Sequence, residues 1–302
     1  MGIRTVAVYS TADAGALHGA LSDEAICIGP GEAGSSYLNE ERIVSAAKVS
    51  GAQAIHPGYG FLSENAHFAQ LCIDNGIVFI GPTIENMNLL SDKEKIKRSM
   101  MEAKLPVIPG SEVLENVEQA YEAAEEIGYP VMIKARSGGG GRGIRLVRTK
   151  EELENAFHSA VAEGQAAFGD GAVYMEKFIN PAKHIEMQVL ADEFGNVVCL
   201  GERDCSVQKN NQKLIEESPS PVVAKDQRDI LIEQVTAAVK HVNYVGVGTL
   251  EFLLDMDGKF YFMEMNVRLQ VEHTVTEALT RIDLVKWQIR VAAGIGLNFT
   301  QE

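Results

Sequence analysis

Near its carboxyl end the chain carries the stretch Gly248-Thr-Leu-Glu251-Phe-Leu-Leu-Asp-Met-Asp257-Gly258-Lys-Phe-Tyr-Phe-Met-Glu264-Met-Asn266. Two apolar runs flank Asp257-Gly258, a strong signal for a two-residue hairpin turn. Counting outward from that turn places Glu251 opposite Glu264, and facing carboxylates repel each other unless a cation lies between them. The stretch therefore predicts a magnesium or manganese site with oxygen ligands from Glu251, Glu264 and Asn266. A longer turn is the alternative, because it would shift the register and turn one carboxylate to solvent.

Strands and helices alternate over residues 1–90. The predicted strands are Thr5–Tyr9, Ala25–Ile28, Ala54–His56 and Val78–Ile80, and the predicted helices are Leu38–Val49 and Glu64–Asn75. This alternation predicts a parallel α/β sheet, so we interpret residues 1–90 as a partial doubly wound, Rossmann-like domain. No βα unit precedes the first strand, and we therefore expect the chain to be truncated at its amino end.

Residues 91–302 have a different pattern and are interpreted as a second domain with α+β character. The segment Ser91-Asp92-Lys93-Glu94 matches a capping box and predicts a helix to about Ala103. Later elements include helices Val117–Ile127 and Glu151–Glu163 and strands Pro130–Ala135, Ile144–Val147, Val173–Phe178, His184–Leu190, Val197–Gly201, Gly248–Asp255 and Lys259–Met265.

The run Ser137-Gly-Gly-Gly-Gly-Arg-Gly143 lies between two predicted strands and indicates a hairpin lid, within a subdomain at about residues 108–180. The run lacks the ending of a P-loop and does not open a helix as a dinucleotide fingerprint does. Its unhindered N–H groups, with the charge of Arg142, are suited to closing over phosphates. The alternative interpretation is a hairpin tip that binds no ligand.

Composition limits the class of protein. With 46% hydrophobic and 23% charged residues the chain resembles a globular protein, and no apolar run reaches a membrane-spanning length. No signal-peptide pattern follows Met1, so we expect a cytoplasmic protein without membrane contact. The formal net charge of −15 disfavours nucleic acid as a partner. The four cysteines lack C-x-x-C spacing and are predicted to be reduced thiols.

Polar residues concentrate directly after the hairpin, where Arg268 and Gln270 are suited to hold a small oxyanion and Glu272 to act as a base. On the predicted strand at 184–190, alternation places His184, Glu186 and Gln188 on one face. These three side chains either line a functional site or lie on a solvated face of the sheet. Taken singly, the charged residues of Glu202-Arg-Asp-Cys-Ser206 and of Gln212-Lys213 are predicted to be solvated.

Taken together, several motifs in order along the chain closely resemble those of biotin carboxylases. They are His56-Pro-Gly-Tyr-Gly-Phe-Leu-Ser-Glu-Asn65, Lys134-Ala-Arg-Ser-Gly-Gly-Gly-Gly-Arg-Gly143, Gly201-Glu-Arg-Asp-Cys-Ser206, Gln212-Lys213, Glu251-Phe-Leu253 and Glu264-Met-Asn-Val-Arg-Leu-Gln-Val-Glu-His273. The resemblance runs essentially end to end. This family includes the carboxylase subunit of acetyl-CoA carboxylase and the amino-terminal parts of pyruvate and propionyl-CoA carboxylases.

The resemblance implies an ATP-grasp ligase that uses ATP and Mg²⁺ or Mn²⁺ to convert bicarbonate to carboxyphosphate, whose carbon dioxide is captured by biotin on a carrier protein. The implied partners are biotin carboxyl carrier protein, carboxyltransferase subunits and a second copy in a homodimer. In acetyl-CoA carboxylase this half-reaction serves fatty acid biosynthesis. The sequence does not determine the final carboxyl acceptor. A biotin-dependent carboxylase of the pyruvate or propionyl-CoA type is the alternative to acetyl-CoA carboxylase.

The resemblance also implies roles for single residues. The phosphate clamp would be Lys93, Lys134, Gly140 and Gly141. The adenine hinge would be Glu176, Lys177, Phe178 and Ile179, with His184 and Gln208 also facing the nucleotide. The metal ligands would be Glu251, Glu264 and Asn266, in agreement with the hairpin argument. The bicarbonate pocket would be Lys213, Arg268, Gln270 and the Val271 backbone, with Glu272 as the base.

The sequence departs from the family pattern in two ways. Family members usually begin with a further βα unit and continue into a third domain, so truncation is expected at both ends. Unusual residues stand at Val267, Thr274, Arg136 and Asn211. Thr274 replaces a proline next to Glu272, which would loosen the loop that aims the base. We therefore expect retained MgATP binding and weak biotin carboxylation. The rival hypotheses are a peptide-type or carbamoyl phosphate ATP-grasp ligase and a catalytically impaired ATP-binding fragment.

Overall fold

The structure, a computed structural model, describes residues 1–136, 143–210 and 212–301, without the side chains of Lys93 and Glu94. Numbered along the chain, the strands are β1 (Val6–Ser10), β2 (Glu24–Gly29), β3 (Ala54–Ile55), β4 (Val78–Phe79), β5 (Val131–Ala135), β6 (Ile144–Val147), β7 (Val173–Lys177), β8 (Ala182–Ala191), β9 (Val197–Lys209), β10 (Gln212–Glu217), β11 (Gly246–Asp255) and β12 (Phe260–Asn266). The helices are α1 (Leu17–Leu21), α2 (Glu40–Ser50), α3 (Ala66–Asp74), α4 (Ile84–Ser91), α5 (Lys93–Glu102), α6 (Val117–Ile127), α7 (Lys150–Phe168), α8 (Lys225–His241), α9 (His273–Thr280) and α10 (Leu284–Ala292).

The chain forms two compact units. Unit 1 comprises Met1–Leu105, His184–Phe252 and Glu264–Glu302, and unit 2 comprises Pro106–Lys183 and Leu253–Met263. Within the described ranges, no helix combines the length and the apolar character needed to span a bilayer. All four cysteines are free thiols, as predicted.

The amino-terminal part of unit 1 is built from parallel strand pairs. β1 pairs with β2 and β3 pairs with β4, both in parallel, which confirms the predicted α/β pattern. The helices between them begin where asparagine side chains accept backbone N–H groups: Asn39 from Arg42 at 3.0 Å and Asn65 from Phe68 at 2.8 Å. Such caps satisfy donors that the first helical turn leaves without a partner.

A five-stranded sheet in the order β10-β9-β8-β11-β12 follows. β8 and β9 are antiparallel, with Glu186 opposite Arg203. The core that anchors this sheet in unit 1 is apolar and includes Leu190, Val198, Leu200, Val247, Leu269, Leu284, Trp287 and Val291. Burying such side chains contributes about 1.5–3 kcal/mol each relative to leaving them exposed. The sheet therefore offers a rigid platform for the polar groups that project from it.

In unit 2, β5 lies between β6 and β7 in an antiparallel sheet, covered by α6 and α7 around an apolar core. Val131 and Ile133 are fully buried on one face of β5, and alternation puts Lys134 on the other. Lys134 on β5 is paired with Ile144 on β6, so the two predicted strands of the hairpin are confirmed. The glycine run between them, with Gly140 and Gly141, lies outside the described residues.

The predicted capping box at Ser91 is wrong. α4 continues as far as Ser91, whose hydroxyl donates to the carbonyl of Asn88 at 3.1 Å. Asp92 instead caps the next helix, α5, since its carboxylate accepts the N–H of Lys95 at 3.1 Å. Aspartate and serine are equally favoured as N-caps, and here Asp92 takes the capping role that was predicted for Ser91.

The predicted two-residue turn at Asp257-Gly258 is also wrong. The N–H of Asp255 donates to the carbonyl of Lys259 at 3.0 Å, so three residues, Met256 to Gly258, form the loop. Gly258 has a φ of 79°, and the Asp255 carboxylate accepts the N–H groups of Asp257 and Lys259 at 2.9 Å each. An aspartate side chain that bonds the backbone ahead of it stabilises this longer loop. The turn therefore does not by itself place Glu251 directly opposite Glu264.

Candidate active site

One ammonium group in unit 1 lies among three carboxylates. Lys213 on β10 donates to Glu186 on β8, to Glu251 on β11 at 3.1 Å and to Glu272 at 2.6 Å. The Lys213 side chain is 18% exposed and that of Glu186 is fully buried. Burial alone would lower the pKa of Lys213, but Glu186 and Glu251 raise it well above its ordinary value. Lys213 is therefore a permanent cation at neutral pH and holds the three acidic groups together.

Glu251 is the most heavily bonded carboxylate of this cluster. Its Oε1 atom accepts the side-chain amides of Asn266 and Gln270, both at 2.8 Å, and its Oε2 atom lies 2.8 Å from Nε2 of His184. Burial raises the pKa of Glu251, but the close approach of His184 and the charge of Lys213 outweigh it and hold the pKa at about 2. Glu251 is therefore ionised throughout the physiological range.

The segment after β12 places further donors beside this cluster. Arg268 donates to Oδ1 of Asn266 at 2.9 Å and to a carboxylate oxygen of Glu64 at 3.2 Å, while Gln270 is buried. Val271 is 62% exposed. Guanidinium and amide N–H groups therefore lie beside the carboxylates that Lys213 holds, and such donors are suited to bind a small oxyanion.

Glu272 immediately precedes α9 and lies at the edge of the cluster. Burial is the largest single influence and raises the pKa of Glu272, but the hydrogen bond from Lys213, a backbone hydrogen bond and the charges of Lys213 and Arg203 together outweigh it, and the pKa lies below its ordinary value. The turn before it is held because Nδ1 of His273 lies 2.7 Å from the carbonyl of Gln270. Thr274 falls in the first turn of α9 and is exposed. Glu272 is thus an ionised carboxylate that can accept a proton.

The residues predicted to hold a divalent metal contribute oxygen atoms only. Glu251 is ionised, Asn266 bonds both Glu251 and Arg268, and Glu264 is exposed near the end of β12. Hard cations such as Mg²⁺ bind carboxylate and amide oxygens of this kind. The donor set therefore fits the predicted metal, and the assignment stays a prediction.

The residues predicted to contact nucleotide are divided between the units. In unit 1, Nδ1 of His184 lies 2.9 Å from the side-chain amide of Gln208, so these two lie side by side on β8 and β9. In unit 2, the ammonium of Lys134 pairs with Glu176 at 2.5 Å. This ion pair joins β5 to β7, and the phosphate contact of Lys134 stays a prediction.

Other predicted nucleotide contacts have different surroundings. The Lys177 side chain donates to the carbonyls of Gly128 and Tyr129 at 2.8 and 3.0 Å, and its backbone N–H donates to the carbonyl of Pro109 at 2.8 Å. Phe178 and Ile179 directly follow β7. The side chain of Lys93, like the two clamp glycines, lies outside the described residues.

Three charged residues that were predicted to be solvated are buried, and that prediction is wrong. Glu202, Arg203 and Asp204 are at most 5% exposed because β9 extends to Lys209, between β8 and β10. Glu202 pairs with Arg228 at 2.6 Å, which supplies the partner that a buried carboxylate needs. Three consecutive residues occupy both faces of β9, so strand alternation alone does not reveal their burial.

Glu64 was not predicted to have a role of its own in the site. Besides Arg268, it accepts the backbone N–H of Val267 at 3.0 Å and so ties the segment after β12 to the amino-terminal part of unit 1. The unusual residues of the chain are also accounted for in part: Val267 is buried, and Arg136 pairs with Asp170 at 3.1 Å. Asn211 lies outside the described residues.

Comparisons with known proteins agree with this geometry. Residues 1–87 match the family model "Biotin carboxylase, N-terminal domain", and residues 92–300 match "Carbamoyl-phosphate synthase L chain, ATP binding domain". A biotin carboxylase from Nostoc sp. is 55% identical over the whole chain, which spans 68% of that relative.

Solved structures give the same result. The biotin carboxylase of Campylobacter jejuni, in a β-γ-ATP complex, has a TM-score of 0.93 and 51% identity, covering 100% of this chain and 68% of that one. The biotin carboxylase domain of the Hydrogenobacter thermophilus 2-oxoglutarate carboxylase, a dimer with MgADP, ADP and bicarbonate, has a TM-score of 0.90 and 50% identity, covering 99% of this chain and 66% of that one. This chain therefore belongs to the biotin carboxylase family of ATP-grasp ligases.

Proposed function

We propose that this chain catalyses the ATP-dependent carboxylation of biotin with bicarbonate, by way of carboxyphosphate. The observation that carries the proposal is the single ammonium of Lys213, bonded to Glu272 at 2.6 Å beside Arg268 and Gln270. An anion the size of bicarbonate needs a cation, several fixed N–H donors and a nearby base, and these residues are of those kinds.

In this mechanism bicarbonate lies against Lys213, Arg268 and Gln270, and Glu272 accepts its proton. The lowered pKa of Glu272 in the free chain depends in part on the hydrogen bond from Lys213 and on the charge of that ammonium. An anion that shares the Lys213 ammonium weakens that bond, so the basicity of Glu272 rises when substrate is present. The deprotonated bicarbonate oxygen then attacks the γ-phosphorus of ATP, and the bond to the bridging oxygen of ADP breaks.

Glu251, Glu264 and Asn266 would hold Mg²⁺, or Mn²⁺, which would offset charge on the phosphates when it is bound. Lys93, Lys134, Gly140 and Gly141 are proposed to contact the nucleotide phosphates, and His184 and Gln208 are proposed to face the nucleotide. The backbone from Glu176 to Ile179 is proposed to contact the adenine.

The proposed acceptor is biotin on a biotin carboxyl carrier protein, with carboxyltransferase subunits downstream and a homodimer as the assembly. Acetyl-CoA carboxylase is the favoured system, which would link the chain to fatty acid biosynthesis. We retain residues 1–90 and 91–302 as proposed domains, with the lid at about 108–180.

The test is ATP hydrolysis by the purified full chain with Mg²⁺, measured with bicarbonate, with bicarbonate plus free biotin, and with ammonium or amino acids as rival acceptors. We expect hydrolysis to require bicarbonate and to cease when EDTA removes the metal. Hydrolysis driven by ammonium or an amino acid, and not by bicarbonate, would assign the chain to another ATP-grasp reaction.

A matched pair of variants separates the base from a general effect of charge. Glu272→Gln removes the proton acceptor, and we expect bicarbonate-dependent hydrolysis to fall by about a hundredfold or more, with nucleotide binding by calorimetry unchanged. Glu217→Gln makes the same chemical change at an exposed position of β10 and should leave the rate unaltered. Equal rates for the two variants would refute the role of Glu272.

A further inference from the structure

A fully buried guanidinium lies beneath the proposed bicarbonate site. Arg203 on β9 has no exposed surface, and its Nε atom donates to Oε1 of Glu186 at 2.6 Å. Its Nη1 atom donates to Gln188 and Thr276, both at 2.7 Å, and its Nη2 atom donates to Thr249 at 3.3 Å and to Gln270 at 2.9 Å. All five donors of the guanidinium therefore have acceptors, drawn from β8, β11, α9 and the segment after β12.

This arrangement fixes the orientation of the Gln270 amide. Arg203 can only donate, and the ionised carboxylate of Glu251 can only accept. The amide of Gln270 lies between them, with Oε1 on Arg203 and Nε2 on Glu251 at 2.8 Å. The opposite orientation would set oxygen against carboxylate and NH₂ against guanidinium. Arg203 therefore decides that Gln270 presents its donor end to the cluster around Lys213.

Arg203 acts on Lys213 in a similar way. The two oxygens of Glu186 are divided, because Oε1 accepts from Arg203 and Oε2 from Lys213. Glu186 is fully buried and has no freedom to turn while both cations hold it. The Arg203 guanidinium thus positions Gln270 by a direct hydrogen bond, and it positions Lys213 through the carboxylate of Glu186.

We propose that Arg203 is a positioning residue for bicarbonate, which aims the donor end of Gln270 and the ammonium of Lys213 at the anion without touching it. The inference rests on the proposed function for its kinetic consequence, and on the geometry alone for the orientation of Gln270. A lysine at position 203 keeps the charge but cannot supply the planar set of donors.

The orientation is tested by NMR of the ¹⁵N-labelled full chain, with the Gln270 side-chain amide assigned by its absence in Gln270→Ala. We expect its two protons to be resolved and slow to exchange in the native chain, and shifted and faster in Arg203→Lys. Thr276→Val removes one acceptor of Arg203 with little change of shape and should shift the same signal less. An unchanged Gln270 signal in both variants refutes the proposal, whether or not the chain turns over.

The consequence is tested by bicarbonate-dependent ATP hydrolysis. Arg203→Lys should raise KM for bicarbonate about tenfold, the effect of one charge-assisted hydrogen bond, with KM for ATP within about twofold. In a Gln270→Ala background part of that increase should vanish, because the direct contact with Gln270 is already lost while the route through Glu186 to Lys213 remains. Effects that simply multiply would show that Arg203 acts elsewhere and would overturn the proposal.

Arg228→Lys is the matched control, since Arg228 holds buried Glu202, the neighbour of Arg203 on β9, by several bonds of 2.6–2.8 Å. Adjacent strand residues face opposite sides of the sheet, so this variant should lower thermal stability and leave KM for bicarbonate and the Gln270 signal alone. If Arg203→Lys does not fold, Thr276→Val decides the matter by both readouts. A native chain without bicarbonate-dependent turnover refutes the proposed function, while the NMR result still decides the positioning.

Discussion

Replacing Lys213 by methionine tests the electrostatic arrangement of the site. The change leaves Glu186, Glu251 and Glu272 together without their shared cation. Removing one partner of a buried ion pair costs about 3–5 kcal/mol, because the remaining charge stays desolvated. The pKa of Glu251, about 2 against an ordinary 4.5, gives a figure of the same order, about 3 kcal/mol, although His184 supplies part of it. We therefore expect Lys213→Met to lower the free energy of unfolding of unit 1 by about 3 kcal/mol at pH 7.

The free energy of unfolding should change with pH in opposite directions in the native chain and in Lys213→Met. In the native chain the folded pKa of Glu251 lies below the unfolded one, so its stabilisation is present above pH 4.5 and is lost as the pH falls towards 2. In Lys213→Met, burial and the neighbouring carboxylates raise the folded pKa values instead. Protons are then taken up on folding, and the variant should regain stability as the pH falls from 7 to about 5.

The measurement is urea unfolding at pH 7 and pH 5, followed by the fluorescence of Trp287. This residue is the single tryptophan of the chain, and it is buried in unit 1 against Phe299. Lys150→Met is the control, because the pair Lys150–Glu125 is more than half exposed and should contribute little. A loss below about 1 kcal/mol at pH 7, or a loss that is equal at both pH values, would refute the reasoning.

Three further predictions follow from single positions. Gly248→Ala should destabilise unit 1 by about 1–3 kcal/mol in the same urea assay, since the new Cβ would lie 2.9 Å from the ring of Tyr244; an unchanged midpoint would show that the ring can move. Cys27 is the exposed cysteine, whereas burial raises the pKa of the others, so a thiol reagent at pH 8 should modify one group per native chain and four in urea. Glu64→Gln weakens the hold on Arg268 and should raise KM for bicarbonate by up to about tenfold, with KM for ATP as the internal control.

Local geometry explains which parts of the fold could be predicted. Strand alternation needs only a residue and its neighbours, and it placed Glu186 and Gln188 on one face, where both accept from Arg203. A local signal of helical periodicity was also present for α8, in which Leu231, Val235 and Ala238 recur at helical spacing and are buried. That helix was nevertheless not predicted. Its start lacks a side-chain cap from Ala224, so the usual boundary signal is missing.

The burial of charged side chains could not be predicted from the same information. A carboxylate or guanidinium lies inside a protein only where distant residues satisfy it. The partners of Arg203 include Thr249 and Thr276, far along the chain. Thr249 meets it because β11 lies just beyond β8 in the sheet, and Thr276 meets it because α9 packs against β9. The triplet at 202–204 therefore had the composition of a surface loop and the environment of a core.

The same long-range charges set a condition on how a chain of net charge −15 binds bicarbonate in the proposed reaction. Lys213 and Arg203 are already matched by Glu186, Glu251 and Glu272, so the free cluster carries no excess positive charge to attract an anion. An incoming anion must therefore compete with Glu272 for the Lys213 ammonium. That competition links anion binding to the basicity of Glu272, because the pKa of this carboxylate rises as its cation is shared. In the proposed reaction the base would thus gain strength only when the substrate that it deprotonates is in place.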